Sequence, residues 1–157
     1  MSDDEKHPFY PLTDESISRV FSFLSQENLT QLYPYLDYRE WPARSIVMDE
    51  GAMTDSMGFL VNGRLAVKKA SSFPGKKILV AILEQGAMVG ELSVLENCCR
   101  VATVEAMEDC RMLLLSTVNM EKLLINEPAL ATKILRRILH IVSIRMRNLD
   151  ERLSRLL

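Results

Sequence analysis

The chain has 157 residues, the length of a single domain, and carries a net charge of −2. With 48% hydrophobic and 25% charged residues it is globular rather than disordered. The longest clean apolar run, Ile78 to Leu83, falls far short of the about 18 residues a membrane span needs, so no membrane partner is expected.

The first residues, Met1-Ser2-Asp3-Asp4-Glu5-Lys6, are acidic and lack a signal-peptide core, which reads as a cytoplasmic protein. The cysteines Cys98, Cys99 and Cys110 are odd in number and form no Cys-x-x-Cys pair, so reduced thiols are expected; their sequence assigns them no redox role. Charge is uneven. Residues 127–157 hold seven Lys/Arg and three acids, a balance of +4, which leaves −6 for residues 1–126.

Residues 1–12, with Pro8 and Pro11, read as a loose arm ahead of a domain at 13–157. Within 13–40, Thr13 or Asp14 can cap a helix whose apolar positions Ile17, Val20, Phe21 and Leu24 recur at helical spacing. Ser25 can cap a second short helix, through Leu32, that stops near Pro34. Across 41–116 the pattern is short strands: Ser45 to Asp49, Met57 to Val61, Leu65 to Lys69, Lys77 to Leu83, Val101 to Glu105 and Arg111 to Leu115. Asn62-Gly63 is a strong type I′ hairpin signal, while Ser71 to Gly75 is a looser connection and Gln85-Gly86 another turn. Spacing of about ten residues between turns predicts an antiparallel β-roll or sandwich.

Residues 117–157 return to helix. Ser116 or Thr117 caps a short one through Ile125, and Pro128 begins a long one of about 45 Å. Leu135, Leu139, Val142, Met146, Leu149, Leu153 and Leu156 step by 4 and 3, a heptad seam, whereas Leu130, Ile134, Ile138 and Ile141 lie on another face. One stripe can pack on the domain and the other on a second copy, which predicts a parallel homodimer through 128–157.

The segment 89–104 concentrates the chemistry. Gly90 permits a close backbone approach, Glu91 to Leu95 reads as one helical turn whose free amides face an anion, and Arg100 can hold a phosphate through paired N–H donors. Gly90-Glu91-Leu92, a variable loop and Arg100-Val101-Ala102-Thr103 resemble the phosphate-binding cassette of cyclic nucleotide-binding domains, with Val89 in place of the usual aromatic. The resemblance extends from about residue 15 to the end. It implies N-terminal helices, a roll of about eight strands and C-terminal helices, mainly β with flanking α.

The resemblance also implies roles. Arg100 and amides around Ser93 and Val101 would take the phosphate, and Glu91 and Gly90 the ribose 2′-hydroxyl. Leu92 and Val80 would form an apolar wall, with Val89 and Ala102 beside them. Val101 stands where a Thr hydroxyl often favours cGMP, which tilts the expectation to cAMP as ligand. Ser143 falls near where a helix hydroxyl meets the base. The implied function is a stand-alone, homodimeric regulatory module that signals to an unknown protein effector and is no enzyme. Three other readings compete. A binding-dead fold used for protein contact is opposed by intact Glu91 and Arg100. DNA binding through the basic helix is opposed by a chain that ends where a helix-turn-helix would begin, leaving a transcription regulator without its own DNA-binding domain. A metal enzyme is opposed by having only His7 and His140.

Overall fold

The computed structural model describes residues 8–9 and 11–157, excepting the side chains of Ser93 and Val94. The arm expected at 1–12 therefore lies mostly outside the described residues. Its visible part departs from the expectation, because Phe9 and Leu12 are buried in the core. Apolar side chains next to Pro8 and Pro11 anchor the segment even where proline prevents regular structure.

Two short helices follow, α1 (Asp14–Val20) and α2 (Gln26–Leu32). Thr13 caps the first, with Ser16 reciprocating in a capping box, and Ser25 accepts from the Asn28 amide to cap the second. A 3₁₀ turn at Tyr33–Tyr35, with Pro34 inside it, ends this unit.

Eight strands come next: β1 (Leu36–Trp41), β2 (Ile46–Met48), β3 (Ser56–Asn62), β4 (Leu65–Ala70), β5 (Lys77–Leu83), β6 (Met88–Val89), β7 (Thr103–Ala106) and β8 (Cys110–Ser116). They form two four-stranded sheets, in the orders β1-β8-β3-β6 and β2-β7-β4-β5, with antiparallel pairing throughout. The expected β-roll is thus the observed architecture. β1 and the two-residue β6 escaped the sequence pattern: β1 mixes charge with aromatics, and β6 is too short to show alternation.

Asn62-Gly63 is not a hairpin. β3 lies in one sheet and β4 in the other, so the turn carries the chain across the roll. Only Gly63 has positive φ (96°), whereas type I′ requires it at both central positions. A Cβ at Gly63 would lie 2.7 Å from the Asp109 carbonyl oxygen, so the glycine serves a close approach to the start of β8.

α3 (Glu91–Glu96) interrupts the strands between β6 and β7, and α4 (Thr117–Asn126) and α5 (Pro128–Leu156) follow β8. One core lies between the helices and the β1-β8-β3-β6 sheet. There Phe21 packs at a tilt against Phe59, 4.7 Å between centroids, and Leu130, Ala131, Ile134 and Ile138 of α5 are buried. A second core, with Leu60, Leu65, Met112 and Leu114, fills the roll interior. Beyond Ile138, α5 emerges: Leu139, Met146, Leu149, Leu153 and Leu156 are each at least half exposed.

Candidate functional site

Gly90 is the hinge between β6 and α3. Its φ of 75° is left-handed, and a Cβ there would lie 2.4 Å from Arg100 Nη1. The helix that starts at Glu91 has no side-chain cap, which leaves its first amides to whatever lies in front of them.

Arg100 is fixed by its backbone. Its amide donates to the Ala52 carbonyl at 2.8 Å, and its carbonyl accepts from Gly51 at 2.8 Å. The guanidinium reaches inward, with Nη2 donating to the Ser56 carbonyl at 2.6 Å and Nη1 to Gly90 O at 3.4 Å. Burial lowers its pKa from the ordinary arginine value, opposed by the charges of Asp55, Cys98 and Glu91. It remains a cation in a partly desolvated place, where an anion gains more from it than in water.

Glu91 is 5% exposed. Its carboxylate is held by Arg145 Nη1 of α5, while Arg145 Nη2 donates to the Met88 carbonyl at 2.6 Å. The long helix is thereby tied to both ends of the β6–α3 junction.

These groups face one cavity of about 460 Å³. Val80, Ala81 and Leu83 of β5 form an apolar wall, and Val89 to Leu92 and Arg100 to Ala102 form the polar end. Arg145, Asn148, Leu149 and Arg152 of α5 complete the lining. Volume and lining suit a small ligand with one anionic and one apolar end.

Eight of the ten residues expected from sequence, Val80, Val89, Gly90, Glu91, Leu92, Arg100, Val101 and Ala102, line this cavity. The side chain of Ser93 lies outside the described residues. Ser143 does not line the cavity: its hydroxyl donates to the Leu139 carbonyl at 2.8 Å, within its own helix. Two residues separate it from Arg145, about 200° of helical rotation, so it points away when Arg145 points in. The α5 contributors Arg145, Asn148, Leu149 and Arg152 were missed as a set. Their 3-4-7 spacing marks one helix face, but only packing shows which strand that face meets.

The model of the cyclic nucleotide-binding domain family matches residues 38–127, more than half of the chain, and includes the whole cassette. The chain belongs to that family. A putative potassium channel protein of Rhodopseudomonas palustris is 28% identical over 115 residues, 73% of this chain and 27% of the relative. A cGMP-dependent protein kinase of Drosophila melanogaster is 26% identical over 93 residues, 57% of this chain and 8% of the kinase. The chain therefore spans about a quarter or less of these two relatives. Among solved structures, a cyclic nucleotide-binding domain from Methylobacillus flagellatus superposes with a TM-score of 0.81 at 26% identity, covering 88% of this chain and 80% of that one. The catabolite activator protein of Thermus thermophilus shares the fold, with a TM-score of 0.74 at 23% identity over 87% of this chain and 62% of that one.

Membership describes a regulatory nucleotide-binding domain. No helix of the described residues is long and apolar enough to cross a membrane, and no group of three or more His, Cys, Asp or Glu among them is placed to hold a metal ion.

Proposed function

We propose that the chain is a cAMP receptor module, without catalytic activity of its own, that dimerises through α5 and signals to a separate protein. The observation that carries this reading is the cavity itself, which joins a partly desolvated Arg100, a buried Glu91 and an apolar wall. The phosphate is taken by Arg100 and the first amides of α3, the ribose 2′-hydroxyl by Glu91, and the purine lies along Val80 and Leu83 beneath α5. Val101 offers no hydroxyl to a guanine, which favours adenine.

The half-exposed stripe Leu139, Met146, Leu149 and Leu153 supports pairing of two α5 helices, which would cover it. Because Arg145 already grips Glu91, an incoming ribose hydroxyl competes with or joins that pair. Nucleotide occupancy is in this way linked to the position of α5, provided the ligand binds the two positions differently. Titration calorimetry with cAMP and cGMP tests the reading. Saturable binding of cAMP with weaker cGMP binding supports it, and no heat from either at about 1 mM rejects it. Light scattering after size exclusion checks the dimer, which Leu149→Asp with Leu153→Asp should convert to monomer.

A further inference from the structure

Residues 56–83 contain Arg64, Lys68, Lys69, Lys76 and Lys77 and no Asp or Glu, in a chain whose net charge is −2. β4 and β5 pair as a hairpin that gathers the four lysines, whereas Arg64 lies at the opposite end of β4, paired with Glu108 at 3.4 Å. The hairpin tip is built rather than loose. Ser71 N donates to Lys76 O at 2.9 Å and Lys76 N to Phe73 O at 3.2 Å, while the Ser71 hydroxyl accepts from Phe73 N at 3.2 Å. This lattice presents Phe73 at 69% exposure, and Ile78 and Leu79 behind it are more than half exposed.

The lysines divide into two kinds. Lys68 is paired with Glu105 at 2.8 Å and Lys77 reaches Asp49 and Thr103, so both serve the fold. Lys69 and Lys76 are exposed and make no ion pair among the described residues. β5 is the last strand of its sheet, but a register shift at Val80 and the flanking lysines blunt it against an added strand. Whatever covers the hairpin therefore reads its side chains, not its backbone.

An aromatic on a projecting tip, with open space around Gly75 and two free ammonium groups beside it, matches a surface that is anionic outside and apolar beneath. A second copy's α5 is a poor match, since its exposed half carries Arg145, Arg147, Arg152 and Arg155 against Asp150 and Glu151 and so repels the lysines. We propose that the β4–β5 hairpin docks on an anionic lipid bilayer, with Phe73 entering the interface and Lys69 and Lys76 against headgroup phosphates. This is a surface contact and needs no spanning segment. It stands independently of the nucleotide reading.

The test is co-sedimentation of the full chain with vesicles of phosphatidylcholine alone and with about one-third phosphatidylserine, at low and high salt. The expected result is partitioning onto the anionic vesicles only, reversed by salt. Lys69→Ala with Lys76→Ala should lower partitioning about 30-fold, at about 1 kcal/mol per lysine. Phe73→Ser should lower it about 10-fold, and Phe73→Trp should shift its emission to the blue on vesicles. Soluble glycerophosphoserine should not compete, because an isolated headgroup offers no interface. The proposal is overturned by no partitioning at low salt, or by equal partitioning of wild type and both sets of variants. It is also overturned if soluble polyglutamate binds regardless of residue 73 while vesicles do not, which would indicate an acidic protein partner. Calorimetry with cAMP on the same variants separates the two readings, since neither the free lysines nor Phe73 line the nucleotide cavity.

Discussion

Replacing Arg145 by alanine removes the cation that holds Glu91. The pair is asymmetric: the Glu91 side chain is 6% exposed and the Arg145 side chain 39%. Loss of the arginine leaves a buried carboxylate with its partner gone, whereas loss of the carboxylate leaves an arginine that water can solvate. An orphaned buried group costs about 1–3 kcal/mol, and the half-open arginine argues for the middle of that range, about 2 kcal/mol. For a chain of this size that corresponds to a melting temperature roughly 4–8 °C lower. Glu91→Gln keeps the shape and removes the charge, and should cost under about 1 kcal/mol. Urea unfolding of the wild type, both single variants and the double variant closes a cycle. Arg145→Ala should be much milder in the Glu91→Gln background, with a coupling of about 1 kcal/mol or more. Equal cost in both backgrounds would refute the reasoning, because α5 would then be held by packing alone.

Other outcomes follow from the same geometry. Arg100→Ala should weaken cAMP binding by about 3–5 kcal/mol, roughly two to nearly four orders of magnitude in calorimetric Kd, by leaving the phosphate unpaired in a desolvated cavity. Gly90→Ala forces a Cβ to within 2.4 Å of Arg100 Nη1 at φ of 75°, so both the melting temperature and nucleotide affinity should fall. With a thiol reagent on native protein, exposed Cys99 and half-buried Cys98 should react before Cys110, which is 1% exposed and whose thiol pKa is raised by burial. Burial also raises the phenols of Tyr33 and Tyr38. For all three groups the folded value lies above the ordinary 9.0 or 10.0, so the folded state holds the proton more tightly. The stability they contribute is complete below about pH 9 and lost as pH climbs through the raised values, so urea midpoints should decline on the alkaline side.

Much of the fold was legible because it is written in local chemistry. Thr13, Ser25 and Ser116 cap helices whose apolar spacing announces them, and Lys77 to Leu83 reads as a strand with the bounds it has in the structure. The cassette was legible for the same reason: Gly90, Glu91 and Arg100 sit within eleven residues, so the pattern that carries the family resemblance is local in the chain. Where local signals misled, a long-range contact had decided the matter. Asn62-Gly63 has hairpin chemistry, but β3 pairs with β6 and β8 and β4 with β5 and β7, never with each other, and Gly63 is needed against Asp109. Ser143 has the right hydroxyl on the wrong face of α5. The pairing of Arg145 with Glu91, 54 residues apart, belongs to neither segment. It exists because the first half of α5 buries Leu130, Ile134 and Ile138 on the core and so fixes the rotation at which its second half crosses the cavity. The sequence by itself determined the elements and brought Gly90, Glu91 and Arg100 into one short segment, since caps, turns and charges act over a few residues. Tertiary structure alone decided which face of the long helix closes the site, because that phase is set by packing between segments remote in the chain.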